Sequence, residues 1–134
     1  MTNSPAQEFL AHGRALSSEG RYTDAIEMFL SSINAAPDLL EAHQALWETA
    51  LLRKAEGGPS LGFFDAMKLR RGSGSDKQWL LNHEKLFAYD PSNTSDMADI
   101  LHLAHRLNLA KTTRWFAELI GKANADSPKP ELRL

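Results

Sequence analysis

Apolar residues recur at spacings of three and four along most of this chain, a pattern typical of helices that bury one face. No stretch alternates apolar and polar residues over the length of a strand, so the pattern predicts an all-α protein. We predict seven helices. The first five cover about residues 4–18, 23–35, 38–55, 60–70 and 75–89, the sixth is lined by Ile100, Leu103, Ala104 and Leu107, and the seventh by Phe116, Ile120 and Ala123.

Residues at the predicted helix starts support these boundaries. Ser4 is followed three positions later by Gln7, which is the capping-box signal of a helix start. Ser75 and Gln78 repeat this signal before the fifth helix. We expect Asp38 to cap the third helix in the same way, because aspartate is a favoured residue at this position.

The first two predicted helices carry a recognisable set of residues. The positions recur at helical spacing and end at a proline: Phe9, His12, Gly13, Leu16, Ala25, Phe29 and Pro37. The set resembles the tetratricopeptide repeat (TPR), a pair of helices of about 34 residues, as found in short proteins of the bacterial type. The resemblance implies a right-handed solenoid of about seven antiparallel helices. In it, the small residues Gly13 and Ala25 would let two helix backbones approach closely.

The later repeats match this pattern less well. Residues 6–39 fit it best, 60–93 and 97–130 fit it moderately, and 40–59 fit it poorly because Trp47 stands at a small-residue position. We expect Trp47 to push the third helix away from its neighbours. The fourth helix should then pair with the fifth to form the second repeat. In this second repeat, the first-helix positions are taken by Phe63, Ala66 and Met67.

We predict one helical domain over residues 1–125 and a flexible tail over 126–134. Within the domain, the segments 57–59 and 71–74 combine glycine with polar residues and should be the most mobile internal parts.

Composition excludes several classes of protein. The chain has no cysteine, which excludes disulfides and thiolate chemistry. Its net charge of −2 favours neither nucleic acid nor an anionic membrane as a partner. The first residues show no secretory signal, and no apolar stretch approaches the roughly 20 residues that span a bilayer. We therefore expect a cytoplasmic protein.

Histidines are the only candidates for metal chemistry. His102 and His105 are three apart on one predicted helix, with Asp99 as a nearby oxygen ligand, and such spacing can bring two imidazoles to one ion. We interpret both as exposed polar positions and predict no metal and no cofactor. His12, His43 and His83 should lie at the core edge, each with one hydrogen-bond partner. The known catalytic motifs are absent, so we do not expect an enzyme.

The resemblance implies a non-enzymatic adaptor or scaffold that binds a peptide or protein surface in a concave groove. The groove would be formed by the first helix of each pair. Carried over position by position, its peptide-binding residues are Leu10, Arg14, Gln44, Glu48, Phe64, Lys68, Arg71, Leu101 and His105. Because the set mixes apolar and cationic side chains, we expect a partner segment with acidic and apolar residues.

A self-assembly module is the alternative. The predicted seventh helix carries Trp115 and Ile120 within a wide apolar stripe. An exposed apolar patch of that kind marks an interaction site. We therefore expect these two residues to form an interface, either with the native partner or in a homo-oligomer.

Overall fold

The computed structural model describes residues 4–72 and 74–125, and within them the chain forms seven α-helices and no strand. This confirms the predicted all-α class. Ser73 and the predicted tail at 126–134 lie outside the described residues. None of the described helices is long and apolar enough to cross a bilayer. The helices are α1 (Pro5–Ser18), α2 (Tyr22–Ala35), α3 (Leu40–Ala55), α4 (Phe63–Arg70), α5 (Asp76–Tyr89), α6 (Thr94–Arg106) and α7 (Ala110–Ala125).

Local capping residues set the starts of α1 and α5, as the sequence predicts. The hydroxyl of Ser4 accepts a hydrogen bond from the backbone N–H of Gln7 at 3.2 Å. The hydroxyl of Ser75 accepts one from Gln78 at the same distance. Each hydroxyl thereby satisfies a backbone donor that has no partner inside its helix.

Asp38 does not cap α3, so that prediction is wrong. The residue before α3 is Leu39, whose side chain makes no capping bond. The Asp38 carboxylate instead accepts hydrogen bonds from the backbone N–H of Thr112 at 3.0 Å and from its hydroxyl at 2.9 Å. The N–H of Lys111 adds a longer bond of 3.4 Å. Both N–H groups belong to the first turn of α7, so Asp38 caps a helix that begins far along the chain.

Gly13 on α1 lies against the ring of Phe29 on α2. A Cβ atom at Gly13 would lie 2.5 Å from Cε1 of the Phe29 ring, so only glycine leaves room for the ring. The sequence predicts a small residue here but assigns it to an approach toward Ala25. Next to this contact, the buried hydroxyl of Ser32 donates a 2.8 Å hydrogen bond to the carbonyl of Ala6.

The packing of the other described helices follows the chain except at α4, which does not contact α3. α2 packs against α3 and α5, α5 packs against α6, and α6 packs against α7. α3 also reaches α5 and α7, whereas α1 packs against α2 and α3 and against no other described helix. The core accordingly runs from the α1–α2 pair to the α6–α7 pair.

α4 lies outside this core. Its backbone packs against α5 alone among the described helices, and none of its residues is buried. Phe63, which the repeat spacing assigns to a first-helix position, is 71% exposed. The buried interface of α5 on this side is formed with α3, where His43 and Glu84 meet.

An aromatic cluster joins α3, α5 and α7. The ring of Trp115 packs edge-on against Trp47 and Phe116, at centroid distances of 5.9 and 4.9 Å. Phe116 in turn contacts Phe87 at 5.9 Å. Trp47 therefore packs against α7, while α3 still packs directly against α2. The expectation that Trp47 pushes α3 away from its neighbours is wrong.

Candidate functional site

The structure removes one residue from the predicted groove on α1 and α3. Leu10 is 2% exposed and belongs to the core, so its prediction as a peptide-binding residue is wrong. Arg14 and Glu48 are exposed and Gln44 is half-buried. These three side chains keep surface that a ligand can reach, and their role stays a prediction.

The three predicted residues on α4 and at its C-terminal cap are brought together. Phe64, Lys68 and Arg71 line one cavity of about 450 Å³, together with Asp65 and Met67. All three predicted residues are exposed. They follow one another at helical spacing, so one face of α4 presents an aromatic ring beside two cations.

The predicted residues on α6 lie elsewhere. Leu101 is half-buried and packs against the core. His105 is exposed and lines a separate cavity of about 390 Å³ with Thr113 and Arg114. Neither residue lines the cavity on α4. The predicted peptide-binding residues are thus distributed over different surfaces.

The predicted interface on α7 is mostly core. Ile120 is fully buried, so its prediction as an interface residue is wrong. Trp115 is half-buried and packs against the aromatic cluster. The apolar stripe of α7 is therefore covered to a large extent by α3 and α6, against which the helix packs.

A second group of polar side chains lies between α5 and α6. Nδ1 of His83 is 3.7 Å from Oδ1 of Asp96 and 3.6 Å from Oδ2 of Asp99. One potential ligand atom from each residue lies within 4.8 Å of the other two. Asp96 and Asp99 are three apart on α6, which places them on one face. His83 comes from α5, so only helix packing completes the group.

The local structure holds His83 and Asp96 in their orientations. The side chain of Asn93 caps α6 by accepting a 3.0 Å hydrogen bond from the backbone N–H of Asp96. The ring of Trp79 stacks on His83, with the centroids 6.0 Å apart and the planes inclined by 27°. Arg70 reaches from α4 to Oδ1 of Asp96 at 3.4 Å.

A cavity of about 250 Å³ opens beside this group. His83 and Asp99 line it, together with Trp79, His102 and Arg106. The sequence places Asp99 near His102, and both do line this cavity. The sequence analysis missed His83 as a partner, because thirteen or more residues separate it from the two aspartates and no local motif connects them.

A third polar group is fully enclosed. His43 and Glu84 form a buried pair with 2.6 Å between Nδ1 and Oε1. Nε2 of His43 donates a second hydrogen bond, of 2.7 Å, to the carbonyl oxygen of Pro37. The sequence predicts one partner for this histidine, and the structure gives it two. Because solvent reaches neither side chain, the pair has a structural role.

Comparison of the chain with protein-family models, with curated proteins and with solved structures gives no match.

Proposed function

We propose that this chain is a non-enzymatic cytoplasmic adaptor that binds an acidic and apolar segment of a partner protein through α4. The proposal rests on one observation above all. An exposed pair of phenylalanines lies next to two cations that form no ion pair with any other residue that the structure describes. The fold we propose is a right-handed solenoid of TPR-like helical hairpins.

The aromatic pair is unusual for a protein surface. Phe64 is 79% exposed, and its ring contacts that of Phe63 edge-on at a centroid distance of 5.5 Å. Large aromatic side chains contribute strongly to interfaces because they bury much apolar area. Because no residue of α4 is buried, the two exposed rings add little to the stability of the fold. Their exposure therefore supports a binding role for α4.

The neighbouring charges indicate the chemistry of the partner. Lys68 and Arg71 line the same cavity as Phe64, and neither forms an ion pair with another described residue. Arg70, on another side of α4, is instead engaged with Asp96. Unpaired cations beside an apolar anchor suit a segment in which carboxylates flank an apolar side chain.

α4 is held firmly enough to present this surface. The side-chain amide of Asn82 on α5 donates a 3.2 Å hydrogen bond to the carbonyl of Leu69 in the last turn of α4. Gly72 follows in contact with the same amide, where a Cβ atom would lie 2.3 Å from it. A preorganised surface loses less conformational entropy on binding, which favours affinity.

The order of helix packing supports the solenoid. In repeat proteins each unit contacts only its neighbours. Here α1 does not pack against α6 or α7, and if α4 is left out, the described pairs α1–α2, α3–α5 and α6–α7 contact only neighbouring pairs. α3 and α5 would form the middle pair, with α4 inserted between them as the binding element.

A peptide-display selection against the full chain tests the proposed function. We expect it to enrich segments that combine acidic and apolar residues. The double variant Lys68→Glu/Arg71→Glu should weaken binding of a selected peptide by about tenfold or more, because each charge-assisted hydrogen bond contributes on the order of 1.5–3 kcal/mol. Phe64→Ser should weaken it as well. Both variants should melt at the parent temperature, since these residues are exposed.

Matched controls make the outcome specific. Arg114→Glu/Lys122→Glu reverses two exposed cations on α7, and Leu52→Ser removes an exposed apolar side chain from α3. Both should bind the peptide like the parent. Binding that survives the α4 double reversal would show that α4 is not the docking surface.

The alternative function is self-assembly, and the exposed rings of Phe63 and Phe64 would also suit a contact between two copies. Sedimentation equilibrium distinguishes the two functions. A dimer that Phe63→Ser/Phe64→Ser converts to a monomer would favour self-assembly. A monomer at all concentrations would favour the adaptor.

A further inference from the structure

We propose that His83, Asp96 and Asp99 form a binding site for one divalent transition-metal cation of the Zn²⁺ type, next to the 250 Å³ cavity between α5 and α6. The proposal is independent of the docking surface on α4. It assigns a ligand to residues that the proposed function does not use.

The distances in this group suit a shared cation better than direct hydrogen bonds. The separations of 3.7 and 3.6 Å between Nδ1 of His83 and the two carboxylates are longer than a nitrogen–oxygen hydrogen bond allows. Two ligands that are each about 2.1 Å from a tetrahedral ion lie about 3.4 Å apart. A cation between the three side chains would therefore need only small shifts of their atoms.

Two buried polar atoms in the group have no hydrogen-bond partner among the described residues. They are Nδ1 of His83 and Oδ2 of Asp96. The Asp96 side chain is 1% exposed, so water cannot supply the missing hydrogen bond. Leaving such atoms unsatisfied is costly, and most buried polar groups in proteins are paired. A bound cation would satisfy an imidazole nitrogen and a carboxylate at once.

The surroundings preorganise the ligands. Stacking on Trp79 holds the His83 ring, and the Asn93 cap holds the first turn of α6 from which Asp96 projects. Asp99 is half-exposed and lines the cavity. An open side of this kind gives an ion a path into the site and leaves a coordination position for water.

The ligand types select the class of metal. One imidazole and two carboxylates supply nitrogen and oxygen donors with a charge of −2, which a divalent ion neutralises. Imidazole suits Zn²⁺, Fe²⁺ and Ni²⁺, whereas Ca²⁺ takes six or more oxygen ligands. Among the described cations, Arg70 competes for this group: it contacts Asp96 at 3.4 Å from a half-exposed position and can turn into solvent.

The competing interpretation is an ion pair in which a protonated His83 lies between the two carboxylates. Isothermal titration of the full chain with ZnCl₂, after treatment with a chelator, distinguishes the two. We expect saturable binding of one Zn²⁺ per chain. Saturating Zn²⁺ should raise the melting temperature by several degrees, because the ion binds the folded state. Co²⁺ in its place should give the visible absorption of a tetrahedral site.

Two variants locate the ion. Asp99→Asn removes a half-exposed ligand without disturbing the core, and it should abolish the binding and the thermal shift while leaving the metal-free melting temperature unchanged. His105→Ala is the matched control, since His105 is exposed on the same helix outside the group. It should bind like the parent. Absence of binding in the parent, or binding that persists in Asp99→Asn, would overturn the proposal.

Discussion

The imidazole of His43 and the carboxylate of Glu84 form a hydrogen-bonded pair that no solvent reaches, across 41 positions of sequence. Because the Pro37 carbonyl can only accept, Nε2 of His43 carries a proton. Burial alone would lower the pKa of His43, but the charge of Glu84 and its hydrogen bond outweigh burial and raise that pKa above its ordinary value of 6.5. The contact with Glu84 thus favours the protonated form of His43 within the core.

This pair makes stability depend on pH in the alkaline direction. A folded-state pKa raised above the unfolded value means that the folded chain binds more protons, so the free energy of unfolding falls as pH rises. The contribution of His43 should be complete below pH 6.5 and lost as pH rises through the raised pKa, with a slope of at most about 1.4 kcal/mol per pH unit. Urea unfolding between pH 6 and 9 measures it. His43→Gln should lack this part of the dependence, and an identical slope in that variant would contradict the assignment.

The partners should also show strong coupling on substitution. His43→Leu leaves Glu84 buried without its partner and should cost about 3–5 kcal/mol. The double variant His43→Leu/Glu84→Leu replaces both polar groups with apolar ones and should cost less than His43→Leu alone. Denaturant unfolding of the variants completes the cycle. Costs that simply add would mean that the two side chains act independently.

Asp38 should matter to stability as the cap of α7. Asp38→Ala removes all three hydrogen bonds to the helix start and should cost about 1–2 kcal/mol. Asp38→Asn keeps an acceptor for Thr112 and should cost less. Thermal unfolding ranks the three proteins, and equal losses from both variants would mean that the acceptor geometry is unimportant.

The charge of Asp38 adds a dependence on acid. Burial would raise its pKa, but the hydrogen bonds from Thr112 and Lys111 and the charge of Lys111 outweigh burial and lower the pKa below 3.8. The stability that this carboxylate contributes is therefore present above about pH 3.8 and is lost as pH falls through the lowered value. The difference between the parent and Asp38→Asn should shrink in the same direction.

Two helical glycines should respond oppositely to alanine. Gly13→Ala places a Cβ atom against the buried Phe29 ring and should lower the free energy of unfolding by about 1–3 kcal/mol. This loss exceeds the gain from the higher helix propensity of alanine. Gly121 on α7 is exposed, and a Cβ atom there meets nothing within 4 Å. Gly121→Ala should therefore stabilise the protein by up to about 1 kcal/mol. Melting temperatures compare the two, and a loss of stability in both variants would mean that the space around Gly13 is not the cause.

Helix starts could be predicted from sequence where the cap is local. Ser4 and Ser75 lie three residues from the N–H groups they accept, so a short motif contains the whole interaction. The prediction for Asp38 failed because the groups that donate hydrogen bonds to it belong to α7. A local sequence motif does not show that donors from a distant helix lie closer to Asp38 than those of α3. Helix class was predictable from periodicity, since each amphipathic helix carries its own pattern.

The candidate binding sites were harder to predict because they depend on tertiary packing, including the position of α4 outside the core. Repeat spacing assigned Leu10 to the peptide-binding groove, whereas Leu10 is buried in the core. Phe64, Lys68 and Arg71 do share a cavity, because they lie on one helix and need no tertiary contact to meet. His83 joins Asp96 and Asp99 only through the packing of α5 on α6, which no sequence spacing reveals.

The hydrogen bonds between Asp38 and Thr112 also bear on how the chain folds. Their partners are 74 positions apart, so the start of α7 is completed by a residue from the link between α2 and α3. In a chain of independent repeats, an end unit can fray while the rest stays folded. Here the loss of α7 also frees Asp38, and the disruption of the α2–α3 link removes the cap of α7. We therefore expect α7 and the helices on either side of the α2–α3 link to unfold together in one cooperative transition.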